Sequence, residues 1–163
     1  MKSLFVIRHA KSSWKDLSLD DHERPLNKRG KRNIPEMGEY LHKQYGRIDT
    51  FVSSHAVRAY ETAKGIAAFY EYPISDIVVT DELYHAGNTA ILQVVRGLSD
   101  DHESAAIFGH NPGFTFFVNA ITNSKIDNIP TCGVAVITFD TDSWCEAAFG
   151  KGKLALYTYP KAL

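Results

Sequence analysis

Two arginines and two histidines stand out by residue type and by what precedes them. Arg8 and His9 follow the apolar run Leu4–Ile7 in "LFVIRHAKSSW". Arg58 lies in "VSSHAVRAYETA" and His110 in "IFGHNPG", each just after a β-rich apolar stretch. Arginine offers a planar fork of donors and keeps its charge, which suits a phosphoryl group. A histidine nitrogen can take a phosphoryl group covalently before water removes it. A nearby acid, for which Glu82 is the candidate, can protonate a leaving group. Charge in such a transition state spreads over the equatorial oxygens, so fixed cations can stabilise it without a metal. Each residue also has an ordinary role open to it. Arg58 would serve as a solvated helix residue, His110 as a turn histidine before Asn111 and Pro112, and Glu82 as one more exposed acid. Their joint placement carries the functional reading.

The elements that must position them follow from hydrophobic pattern. Short apolar runs at Leu4–Ile7, "DTFVSS", "DIVVTDEL" and "SAAIFG" read as strands. "GVAVITFD" and "WCEAAFGKGKLALYTY" read as closing strands, with Gly-Lys-Gly suiting a hairpin turn. Helical spacing covers Asn27–Tyr45, Ala56–Tyr70, Asn88–Leu98 and Phe114–Ile121, while residues 10 to 26 form a polar loop holding Trp14 and the acids Asp20, Asp21 and Glu23. Strands alternating with helices imply an α/β fold. The expectation is a three-layer α/β/α sandwich with a mostly parallel central sheet and an antiparallel edge hairpin, formed by one domain over residues 1–163. Ligands of such sheets bind beyond the carboxyl ends of the strands. Arg8-His9, Arg58, Glu82 with His85, and Gly109-His110 all follow such ends.

The 163 residues are enough for a sizeable core, and 44% hydrophobic with 23% charged residues is ordinary for a globular protein. A formal net charge of −1 argues against a nucleic-acid or anionic-membrane partner. No stretch is long enough to span a bilayer, and the short apolar start does not read as a secretory signal. Cys132 and Cys145 are the only cysteines, which suits reduced thiols packed as small core residues in a cytoplasmic protein. No H-E-x-x-H or Cys-x-x-Cys spacing marks a metal site, and two arginines beside His9, His85 and His110 would repel a divalent cation. "NKRGKR" reads as the solvated first turns of a helix. Trp14 is expected to cover core surface or to form a docking rim beside Arg24.

"FVIRHAKSSW", "RPLNKRG", "VSSHAVRAYETA", "DELYHAGN" and "IFGHNPG" together resemble the histidine phosphatase superfamily, also called phosphoglycerate mutase-like or RHG. Within it, the chain is most similar to the small SixA-type branch of phosphohistidine phosphatases. The resemblance implies that His9 accepts the phosphoryl group, that Arg8 and Arg58 bind it, and that His110 completes the pocket. Glu82 falls where larger relatives keep a proton-donating carboxylate. Lys11, Ser12 and Arg24 join the substrate-binding set. Ala10 replaces the usual glycine, Ser54-His55 replaces the usual Ser-Pro, and Lys11 stands where many sugar-phosphate members have glutamate. That last departure, and the short chain, count against a mutase.

The function so implied is a metal-independent phosphatase with a phosphohistidine intermediate and no cofactor. The expected partner is a phosphorylated protein such as a histidine-containing phosphotransfer domain. A small phosphomonoester is the alternative substrate, and a phosphoprotein-binding module with weak catalysis the alternative role. His9 should stay neutral near pH 7 because Arg8 and Arg58 lower its pKa.

Overall fold

In the computed structural model, which describes residues 1–163, side-chain alternation along the central strand builds the layers. Strand β1 (Lys2–Arg8) sends Leu4 and Val6 into one core and Phe5 and Ile7 into another. Such period-two placement on a strand buried on both faces requires cover on both sides. Helices α1 (Lys28–Gln44) and α2 (Val57–Ala67) cover the Phe5 face with Ile34, Met37, Leu41, Ala63 and Ile66. Helices α3 (Asn88–Arg96) and α4 (Gly113–Thr122) cover the Leu4 face with Ile91, Val95, Phe114, Phe117 and Ile121.

Six strands form one sheet in the order β3-β2-β4-β1-β5-β6, with β2 at Thr50–Ser54, β3 at Val78–Thr80, β4 at Ser104–Gly109, β5 at Val134–Phe139 and β6 at Lys153–Thr158. The first four in that order run parallel, β5 runs against β1, and β6 against β5. This is the three-layer α/β/α arrangement expected, with antiparallel strands at one edge. Chains leaving β1 and β4 diverge, one to α1 on one face and the other to α4 on the opposite face. A crevice therefore opens at their adjacent carboxyl ends.

Some expected elements differ. "WCEAAF" is not a strand: Trp144–Glu146 is a 3-10 turn, and Trp144 is fully buried with its Nε1 donating to the His102 carbonyl at 2.8 Å. A large apolar ring with one donor is better satisfied in that plug than on an edge strand. Gly150-Lys151-Gly152 precedes β6 within a longer connection rather than closing a tight hairpin. "DIVVTDEL" pairs only over Val78–Thr80 and then turns through a 3-10 segment, Asp81–Leu83. Cys132 is buried as expected and its thiol is pushed up to about 12 by burial, but Cys145 is exposed. No helix is long and apolar enough to cross a membrane.

Candidate active site

Backbone pairing locks the ends of β1 and β4 together. The His9 amide donates to the Gly109 carbonyl at 3.0 Å, and the Arg8 amide to Gly133 at 3.1 Å. His9 is 7% exposed, and its Nδ1 lies 2.7 Å from the Ala10 carbonyl oxygen. A carbonyl only accepts, so Nδ1 carries the proton and Nε2 keeps its lone pair. Burial lowers the His9 pKa to about 4. The Ala10 hydrogen bond opposes this, and the charges of Arg58, Arg8 and Arg24 add to it. The ring is neutral near pH 7 as expected, but burial outranks the arginines as the cause.

Arg58, in the first turn of α2, points its Nε at His9 Nε2 from 3.4 Å. Its Nη1 donates to the Asp21 carbonyl at 2.7 Å and its Nη2 to Asp21 Oδ2 at 2.9 Å. One turn later Thr62 donates to the Arg58 carbonyl at 2.7 Å and accepts from the Ala10 amide at 2.9 Å. A single helix thus fixes both the arginine and the backbone after His9. His110 places its ring centroid 5.2 Å from that of His9, with Nε2 2.9 Å from Ser54 Oγ. Burial, with the neighbouring His9, Arg58 and His85, lowers its pKa to about 2. Arg8 Nη1 donates to the Ile129 carbonyl at 2.8 Å. Arg8 Nε and His110 Nδ1 are buried with no partner in the chain, which leaves donor capacity open to an anion. The amino-terminal end of α4 adds partial positive charge three residues after His110. Arg8, His9, Arg58 and His110 are therefore brought together in one buried cationic seat.

Glu82 is not. The Asp81–Leu83 turn buries Leu83 and leaves Glu82 exposed, in a groove with Thr80, Gln93, Gly97 and His102 beyond β3. Arg24 is buried but committed to its own loop, donating to Ser13 O at 3.2 Å, Asp21 Oδ1 at 3.0 Å and Ser12 Oγ at 2.5 Å. It and Ser12 therefore brace the loop rather than present free groups to the seat. Lys11 has a half-buried side chain, and its carbonyl accepts from the Asn27 amide at 2.9 Å. Trp14 covers no core: it is 65% exposed and lies over the Arg24 guanidinium at 3.3 Å.

No local pattern distinguishes Asp21 from Asp20 and Glu23. Its carboxylate accepts from Arg58, Arg24 and Tyr84, the last at 2.5 Å. Burial alone would raise its pKa, but these hydrogen bonds outweigh burial and hold it well below the usual carboxylate range. Asp21 stays ionised and partly balances the arginines. Around Tyr84 the rings of His55, His85 and His110 pack at 4.9, 4.0 and 5.3 Å, with His22 5.6 Å beyond His55. Three of the seven histidines, His22, His55 and His85, thus lie around the seat that His9 and His110 help to form. His85 is exposed, has a left-handed φ of 51°, and lines a pocket of about 230 Å³ with His110, Asn111 and Gly113. Its Nε2 lies 3.8 Å from Asp21 Oδ2.

The arrangement can be set beside known proteins. An uncharacterised chloroplast protein of Arabidopsis thaliana is 29% identical over 90% of this chain and 70% of its own length. An uncharacterised protein of Mycobacterium leprae is 28% identical over 95% of this chain and all of its own. Among solved structures, a protein from Agrobacterium tumefaciens proposed to be the phosphohistidine phosphatase SixA superposes with a TM-score of 0.82, at 24% identity, over 98% of both chains. The protein histidine phosphatase SixA in complex with tungstate does so with the same TM-score, at 20% identity, over 98% of this chain and 97% of that one. These likenesses establish a shared fold. The sequence model of the histidine phosphatase superfamily (branch 1) matches residues 4–86, which hold Arg8, His9 and Arg58. With half of the chain so matched, the protein belongs to the histidine phosphatase superfamily.

Proposed function

We propose that this protein is a phosphatase that passes a phosphoryl group through His9 to water, and that its substrate is phosphohistidine on another protein. The observation that carries this reading is the state of His9. Its Nδ1 is held by the Ala10 carbonyl, its ring is neutral, and its bare Nε2 faces Arg58. In the first step the Nε2 lone pair forms a bond to phosphorus. The bond from phosphorus to the leaving group breaks, and its electron pair departs with that group. Arg8 Nε and the His110 Nδ1–H hold the equatorial oxygens, and Arg58, engaged by Asp21 and His9, adds its charge beside them. Water then attacks the phosphohistidine and gives a proton to His85, which lost one to the leaving group in the first step; the P–N bond breaks, and its electron pair returns to Nε2. The products are the dephosphorylated partner and orthophosphate.

The leaving group needs a proton. Glu82 lines a different groove, whereas His85 shares a pocket with the seat residue His110 and lies beside Asp21. His85 therefore takes the role of proton donor. An exposed mouth favours a phosphorylated side chain of a protein over an enclosed metabolite. The tungstate complex of a protein with this fold supports an oxyanion seat here.

The test is turnover of a phosphohistidine peptide with chelator present, followed by acid-free capture of labelled enzyme. Free phosphate and a base-stable label on His9 are expected, with both lost in His9→Ala. Turnover that persists in His9→Ala, or that depends on added metal, overturns the proposal. Peptide binding without label would make the protein a binding module.

A further inference from the structure

The first turns of α1 carry Lys28, Arg29, Lys31 and Arg32, all exposed. None of them takes part in any ion pair of the molecule. The first turn contains no acidic residue. Cations at a helix amino terminus oppose the helix dipole, so this placement works against stability. The location is also particular. The Ser13 amide donates to Pro25 O at 2.8 Å and the Asn27 amide to Lys11 O at 2.9 Å, which clamps the start of α1 to the loop that leaves His9. Register brings a second segment to the same edge. Ile7 pairs with Val134 and Val134 with Thr158, so β6 ends level with β1. The chain beyond β6 then crosses to α1, where Lys161 shares a depression of about 190 Å³ with Arg29, Arg32, Asn33, Glu36 and Pro160. Glu36 is the one carboxylate there, and it accepts from Asn33 at 3.4 Å. At the opposite end of the edge, beyond β3, Asp81 and Glu82 are exposed.

We infer that the basic surface formed by Arg29, Arg32 and Lys161, continued at the start of α1 by Lys28, docks an acidic patch flanking the phosphorylated residue of a protein substrate. The inference rests on the phosphatase reading above and names the partner's charge. A phosphoryl group carried on a protein reaches His9 only if the surrounding protein surface lies against this rim. The rim is positive on the α1 side and negative beyond β3, so it fixes the partner's orientation as well as its sign. A net charge of −1 leaves no general attraction for polyanions.

The test compares two phosphohistidine peptides of equal length, one flanked by glutamates and one by serines, with phosphoramidate as a substrate too small to touch the patch. The wild type is expected to favour the acidic peptide in kcat/KM by about tenfold at low salt, with the preference fading at high salt. Arg29→Glu with Arg32→Glu should abolish it and leave phosphoramidate turnover unchanged. An equal preference in wild type and variant overturns the docking surface. Binding of the unphosphorylated acidic peptide, followed by fluorescence anisotropy, reads the patch without catalysis. Loss of all turnover with that binding intact would therefore refute the phosphatase and not the surface. Tight binding of a single-stranded RNA with none of the acidic peptide would overturn the inference in favour of nucleic acid.

Discussion

The Ala10 carbonyl decides which nitrogen of His9 carries the proton, and burial keeps the ring neutral at neutral pH, the state the proposed attack requires. In the proposed mechanism proton delivery is the separable half of the chemistry and is assigned to His85. His85→Ala should lower kcat/KM by about a hundredfold on an alkyl phosphate, whose leaving alkoxide needs a proton. On p-nitrophenyl phosphate, whose leaving group departs unprotonated, the change should stay within about threefold. Glu82→Gln should alter neither rate, because Glu82 faces a different groove. Equal losses on both substrates in His85→Ala would assign that residue a structural role instead. At this scale Arg8, His9 and His110 were legible because they stand at the ends of apolar strands, and Arg58 because it opens the helix that follows one. Asp21 and Tyr84 were not. Their value lies in a 2.5 Å contact across 63 positions, and no local pattern marks it.

Elements hold these side chains through close backbone approach. Asn27 caps α1 by accepting from the Gly30 amide at 2.8 Å, and a Cβ on Gly30 would overlap the Lys11 carbonyl oxygen. Backbone cannot yield there as a flexible side chain would. In an open helix Gly→Ala stabilises by about 1 kcal/mol. At Gly30 the sign should reverse, with a loss of about 1–3 kcal/mol in urea unfolding and a fall in kcat/KM, because Lys11 is two residues from His9. Gly46→Ala, where a Cβ meets nothing within 4 Å, is the control and should move stability by less than about 0.5 kcal/mol. Equal behaviour of the two variants would show that the α1 contact does not position the loop. Hydrophobic period made all four helices and the parallel core readable, since α1 and α3 each bury one stripe and the central strands alternate between two cores. The segment before β6 misled because "WCEAAF" has strand-like composition, while the position of Trp144 is set by Asp100 and His102, more than 40 residues away.

The whole molecule keeps a concentrated positive seat inside its fold, and this must appear in its stability. His9 and His110 have folded pKa values of about 4 and about 2, below the ordinary 6.5. The unfolded chain therefore binds these protons first as pH falls. Above pH 6.5 both rings are neutral in either state, and stability is at its full value. Between 6.5 and about 4 the unfolded state holds the extra protons, so stability declines by up to about 1.4 kcal/mol per pH unit for each histidine. Asp21, held below its usual range by Tyr84, Arg58 and Arg24, adds a further loss only at lower pH, through its own titration. Orthophosphate should act against the decline in two ways. It binds the folded state alone, and its charge beside the two rings raises their pKa values. Urea unfolding at pH 7 and pH 5, in chloride and in phosphate, checks this. The expected result is a clear loss at pH 5 in chloride and a smaller one in phosphate. Equal stability at both pH values in chloride would mean that the two histidines are not held neutral by the fold. The attacking nitrogen would then lack the protection from protonation on which its chemistry depends.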